Sequence, residues 1–256
     1  MKPLRLPRWA YLILASCFWI ALWWLIAALM DKPLLLPTPP SVLKALFALA
    51  KTASFWGSVA LSLTRILGGI ALALIGGTLL ALLTVKSRLA HHLFSPLLLL
   101  FKATPVASVI FLVLLFVGRG QVPMLIAFMM ALPIVWSNVR EGLLSTDRKL
   151  LEMAKVFRLT PAKQLTAIRL PSLFPYFLAA CRSAISLAWK AGIAAEVLCT
   201  PKNSIGTAIY EGKMYLQTAE LFAWTLVVIV ISALVEWGTL KLLSHAKQMP
   251  TGGEAA

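Results

Sequence analysis

Apolar residues run through this chain in long blocks separated by short polar stretches, and block length is the first structural signal. The block at 9–30 is long enough to cross a bilayer. Lys2, Arg5 and Arg8 precede it like the front of a signal peptide, but no small-x-small cleavage site closes it, which predicts a retained first span. The proline-rich stretch 31–40 predicts an external loop, and 41–51 carries a short amphipathic pattern through Val42, Ala45, Leu46 and Leu49. A second span follows at 58–85, where Gly68, Gly69, Gly76 and Gly77 allow close helix contact. The third, 93–117, carries Lys102 and Pro105 and is expected to kink or break there. The fourth is 122–139, the fifth 173–198 and the sixth 221–243. Between the last two, Ile205, Ile209, Gly212 and Leu216 predict a short interfacial helix.

The pattern predicts an all-α membrane protein of six transmembrane helices. Its parts are a cytoplasmic N-terminus at 1–8, one permease domain at 9–245, a charged loop at 140–171 and a polar cytoplasmic tail at 246–256. Composition agrees: 60% of the 256 residues are hydrophobic, 13% are charged, and the mean hydropathy is +0.88. A soluble domain could not hide so much apolar surface. The net charge of +15 does not read as nucleic-acid binding, because loop charge accounts for it. With both termini inside, fourteen Lys and Arg fall on the inner side and six on the outer, the bias of a cytoplasmic face. Cys17, Cys181 and Cys199 form no CxxC pair and are expected to pack as small hydrophobes. His91 and His92, beside Lys86 and Arg88, read as solvated and not as a metal site.

Charges left near the spans narrow the chemistry. Arg182, Ser186 and Lys190 recur every four residues and make one polar stripe on the fifth span, flanked by Trp189 and Ile193. Such a stripe either lines a hydrated path or is met by structural ion pairs. Glu196 lies off the stripe, Arg65 could reach either boundary, and Glu236 is expected to snorkel or pair. There is no GxxxxGK[ST] motif for ATP phosphates, and no nucleophile–base set at membrane depth to suggest an intramembrane hydrolase. An ion-coupled secondary transporter using Glu196 is the alternative function.

The loop at 140–171 is the most specific stretch. Leu150, Leu151, Ala154 and Phe157 recur at helical spacing, with Lys149, Glu152 and Lys155 largely opposite. Thr160 is placed to cap a second helix with Pro161 at its first position, Leu165 and Ile168 give that helix an apolar face, and Pro171 is expected to end it. The order Glu152-x-Ala154, then Ile168-x-Leu170-Pro171 and Pro175, resembles the EAA loop of bacterial ABC-importer permeases. Met153 replaces the motif's middle Ala, and Arg158 stands where the family usually has a Gly that permits a left-handed turn. The segments at 62–83, 187–197 and 204–206 resemble the nitrate/sulfonate/taurine-type branch, whose prolines are partly reproduced in ATPVAS at 103–108. In that branch's AE pattern, Glu196 is given a structural role.

The resemblance implies a type I ABC-importer permease in the bacterial inner membrane, with 150–158 (Leu150, Leu151, Glu152, Met153, Ala154, Lys155, Phe157 and Arg158 foremost) as the ATPase-coupling element. It implies no cofactor in this chain, since ATP and Mg would be bound by the partner ATPase. The expected partners are a second copy of the chain, two ATPase subunits, an extracytoplasmic substrate-binding protein and membrane lipid. Arg182, Ser186, Lys190 and Ile193 are the expected translocation-path residues, for a small anionic (sulfonate- or nitrate-like) or heterocyclic solute.

Overall fold

The computed structural model describes residues 7–248, without the side chains of Arg8, Leu12, Arg148 and 242–248; residues 1–6 and 249–256, where most of the expected tails fall, lie outside it. The described residues are helical throughout, and no strand is present among them. The helices are α1 (Arg8–Met30), α2 (Pro39–Ala50), α3 (Ala53–Lys86), α4 (Arg88–Ala103), α5 (Val106–Leu114), α6 (Val122–Leu144), α7 (Arg148–Val156), α8 (Pro161–Gln164), α9 (Leu170–Cys199), α10 (Ile205–Met214) and α11 (Thr218–Gln248). Five are long and apolar enough to cross a membrane, or six when α4 and α5 count as one span bent by 108°. The bend falls at Thr104–Pro105, as the sequence predicts: Pro105 carries no amide hydrogen, and Thr104 turns both its N–H and its Oγ1 back onto the Leu100 carbonyl.

The core of the subunit is a three-helix stack of α3, α6 and α9. Helices α3 and α6 run in the same direction, which their contacts show: Gly69 meets Met124 and Ala127, and two turns later Gly77 meets Leu132 and Val135. A Cβ at position 77 would stand 2.8 Å from the Val135 Cβ, so only glycine lets the two backbones approach this far. Gly68 and Gly76 lie one residue off this seam and meet only side-chain ends. Helix α9 runs antiparallel to both, with Gly192 against Ile66 and Gly142 of α6 against Leu173 and Tyr176. Trp189 is fully buried, and its indole N–H donates to the Val228 carbonyl of α11 at 3.2 Å, fastening the last helix.

Helix α1 is the outlier. Almost none of its apolar window is buried within the subunit, and Trp9, Phe18, Trp19 and Trp24 are all exposed. Among its described residues, contact with the body is seen near its C-terminal end, where Ala27 is buried and Trp23 stacks on Phe222 of α11 at 5.8 Å. The following loop is held from the same helix, Thr218 Oγ1 donating to the Leu34 carbonyl at 2.6 Å.

Three expectations change. Pro171 does not end the helix begun at Pro161. A π-turn, Leu165–Arg169, follows α8 and runs directly into α9, so the widened ladder absorbs the proline and the helical rod continues from 161 to 199. His91 is half-buried and stacks on Trp136 at 6.1 Å, while the Trp136 indole donates to Thr84 Oγ1; its ring packs where a solvated one was expected. Cys17 is exposed on α1, whereas Cys181 and Cys199 are buried as expected.

Candidate functional site

The loop between α6 and α9 folds into the expected hairpin. Asp147 caps α7 by accepting the Lys149 N–H at 2.9 Å, and Thr160 caps α8 by accepting from Lys163. Between them the chain closes as a Schellman turn: the Leu159 N–H bonds to the Ala154 carbonyl and the Arg158 N–H to the Lys155 carbonyl. Arg158 sits at φ 51, in the left-handed region that the glycine of the EAA pattern would occupy. The replacement therefore keeps the turn, at a cost of about 1–2 kcal/mol in backbone strain. The apolar residues of α7 divide in two. Ala154 is fully buried and Leu151 half-buried, while Leu150, Met153, Val156 and Phe157 stand exposed, the last two at 78% and 71%, with Glu152 and Lys155 beside them. Ala154 is thus the anchor of the hairpin and not its outer knob. Val156 joins the exposed surface though its spacing had not singled it out.

The stripe on α9 also divides. Arg182 and Lys190 are exposed and Ser186 half-buried, but Ile193 is packed in the core, because α3 and α10 pack against α9 there. Arg182 Nε stands 3.2 Å from Glu236 Oε1 on α11, so the expectation that Glu236 pairs is met. No carboxylate reaches Lys190 among the described residues. At membrane depth such an ammonium must face water, another chain or a solute.

Near the Cys199 end of α9 the arrangement is the reverse. Glu196 is fully buried, and its Oε2 accepts from Ser62 Oγ of α3 at 2.7 Å and from the Gly206 N–H of α10 at 3.1 Å. Ser62 Oγ in turn accepts the Ile205 N–H at 2.9 Å. Arg65 lies 3.9 Å from the other carboxylate oxygen and donates to the Lys202 carbonyl at 3.3 Å. Glycine is required at 206, since any Cβ there would run into Glu196 itself. One carboxylate therefore ties α3, α9 and the start of α10 together, which is what a structural role for Glu196 demands; it is closed off from any open path. Beside α10 a cleft of about 510 Å³ opens, lined by Lys202, Asn203, Tyr210, Glu211 and Tyr215 among others. No cluster of three or more His, Cys, Asp or Glu able to hold a metal is present among the described residues.

Comparison with known proteins agrees with this geometry. The chain is 25% identical over 86% of its length to the taurine transport system permease protein TauC of Escherichia coli, covering 82% of that protein. It is 26% identical over 89% of its length to the putative aliphatic sulfonates transport permease protein SsuC of Bacillus subtilis, covering 83%. Its fold matches a solved amino acid ABC transporter with TM-score 0.58 at 16% identity, across 76% of this chain and 92% of that one. Residues 69–239, well over half the chain, match the family described as the binding-protein-dependent transport system inner membrane component. The chain therefore belongs to that family and is a multi-pass inner-membrane permease subunit of an ABC importer.

Proposed function

We propose that this permease pairs with a second copy of itself, binds two ATPase subunits through α7, and passes a small anionic solute, of the sulfonate or similar oxyanion class, delivered by an extracytoplasmic binding protein. In this reading both termini are cytoplasmic, ATP and Mg are held by the ATPase, and the chain itself catalyses no reaction. The observation that carries the reading is the surface of α7. Four apolar side chains stand open around a tightly closed turn, in the charged loop between two helices long enough to cross a membrane. Leu150, Met153, Val156 and Phe157 fit a cleft, and Glu152, Lys155 and Arg158 form its polar rim, the anatomy of a small protein–protein contact. ATP-driven closure would move α7 as a lever, and α9, continuous with the hairpin through the π-turn, would carry the motion to Ser186 and Lys190.

The anionic solute is supported by the sign of the open charge. Lys190 has no counter-ion among the described residues, and the named relatives are permeases described for taurine and, putatively, aliphatic sulfonates, both sulfonate-bearing. The face bearing α10 and its cleft is the docking side for the binding protein. The test is co-purification: Met153→Asp with Phe157→Asp should abolish recovery of the ATPase with the permease while insertion and folding persist. Full recovery and full transport in that double variant would refute the assignment of α7. Native mass spectrometry showing one copy of this chain beside a different permease would refute the pairing.

A further inference from the structure

We propose that the basic start of α4, with the end of α3 and Arg140 of α6, holds the phosphate of an anionic phospholipid whose acyl chains run along the leucines of α4. The inference goes beyond the coupling and solute readings. It needs only that this end of the bundle meets a membrane surface, and it holds whatever the solute.

Helix α4 does not run alongside α6. His91 stacks on Trp136, and the Lys102 ammonium donates to Ser137 Oγ at 3.2 Å. The two α4 residues are roughly 16 Å apart along their own helix, at 1.5 Å per residue, while their partners are adjacent on α6. Helix α4 therefore lies across α6, and the 108° bend into α5 follows it. Its level is the end of α3, because the Trp136 indole donates to Thr84 Oγ1, two residues before Lys86 closes that helix. A helix lying across the end of a bundle, where basic residues gather, sits at headgroup level.

The residues of α4 sort into three faces. Leu98 is buried, with Phe94 and Phe101 half-buried beside it, toward the subunit. Leu89, Leu93, Leu97 and Leu100 are exposed and share an arc of about 80° at 100° per residue. Arg88, His92, Ser95 and Lys102 share a second arc of similar width. One apolar and one basic outward face are what a helix in the interface plane requires, the leucines against acyl chains and the cations against headgroups.

Arg140 singles out one place on this surface. It follows Trp136 by one turn of α6, so its guanidinium stands beside the His91 ring and bears on it electrostatically. It is half-buried, its Nε is enclosed without a hydrogen-bond partner, and no carboxylate pairs with it among the described residues. Glu141, its neighbour in the chain, is exposed and pairs with no cation. Lys86 and Arg88 are exposed and equally without an ion pair. A half-buried guanidinium with no counter-charge is costly, and a phosphate oxygen pair offsets that cost through a bidentate bond. The leucine face decides the source of the phosphate. A free anion gains nothing from apolar surface, and an acidic protein patch would match the cations while leaving the leucines unused, whereas a phospholipid uses both.

The test is native mass spectrometry of the detergent-purified permease titrated with phosphatidylglycerol, with phosphatidylcholine as the neutral-headgroup comparison. The wild type should bind phosphatidylglycerol at least about tenfold more tightly. Arg140→Gln should lower that affinity about tenfold, and so should Lys86→Gln with Arg88→Gln, two exposed positions whose replacement leaves the fold intact. Lys44→Gln with Lys51→Gln, exposed residues before the other end of α3, should leave it within about twofold. No preference for phosphatidylglycerol, or equal losses in the two lysine-bearing pairs, would overturn the proposal, since bulk surface charge would then explain the binding. Displacement of the lipid by millimolar inorganic phosphate would make this a free-anion site and overturn it as well. So would loss of ATPase co-purification with lipid affinity unchanged in the Arg140 and Lys86–Arg88 variants, which would give the surface to the ATPase.

Discussion

Glu196 and Lys190 lie less than two turns apart on one helix, and the subunit treats them in opposite ways. Glu196 is sealed, with a hydroxyl, a backbone amide and a guanidinium gathered around it from two other elements. Lys190 is exposed and has no ion-pair partner among the described residues. A charge inside an apolar fold is tolerable only when something meets it, and here the fold meets one and leaves the other. The sealed carboxylate belongs to the framework that holds α10 in place. The open ammonium is, in the proposed reading, completed by something outside the subunit.

The sharpest way to break this comparison is to empty the sealed site. Glu196→Ala strands the Gly206 amide, leaves the Ser62 hydroxyl without its acceptor and removes the charge 3.9 Å from Arg65, which should cost about 3–5 kcal/mol and show as a large drop in melting temperature of the detergent-purified protein. A melting temperature within error of the wild type would remove Glu196 from the framework. Ser62→Ala should cost about 1–3 kcal/mol, because the buried Ile205 N–H loses its acceptor; the same melting curve measures it. At the open site the expectation inverts. Lys190→Gln should leave melting unchanged and cut sulfonate uptake about tenfold, equivalent to roughly 1.4 kcal/mol at the transport barrier. Loss of stability with uptake intact would make Lys190 a framework residue after all. The smallest effect tests the same division at the α7–α8 hairpin: Arg158→Gly relieves a left-handed backbone without altering the exposed apolar surface of α7, and should raise stability by about 1 kcal/mol on the same melting curve.

What could be read in the chain beforehand was what is local. Hydropathy length marks the spans, Pro105 after Lys102 marks the break, and Thr160-Pro161 marks the start of the second hairpin helix, because each signal sits within one turn of its effect. The carboxylate network was not legible, since Ser62 and Glu196 are 134 residues apart and no periodicity connects them. The ion pair of Arg182 was missed for the same reason: its partner Glu236 lies on another helix, beyond any i±3 or i±4 neighbour. Ile193 looked open because a helical wheel knows a helix's faces but not what covers them, and α3 and α10 cover this one. Arg158 shows a further limit. The Schellman hydrogen bonds close the turn whether or not a glycine is there, so residue identity changed the cost of the turn and not its shape.

The thin attachment of α1 bears on the order in which the protein can be completed. Its side-chain stacking partner, Phe222, and the hydroxyl that holds the following loop, Thr218, both lie on the last helix of the chain. During synthesis the first helix enters the membrane early and waits in lipid while nearly all the remaining sequence is made. Its stacking on Phe222 and the hydrogen bond that holds the following loop form only when the ribosome has delivered α11. A chain cut short before Thr218 would leave α1 and its loop without these contacts, so the seating of the first helix records whether translation reached the last one.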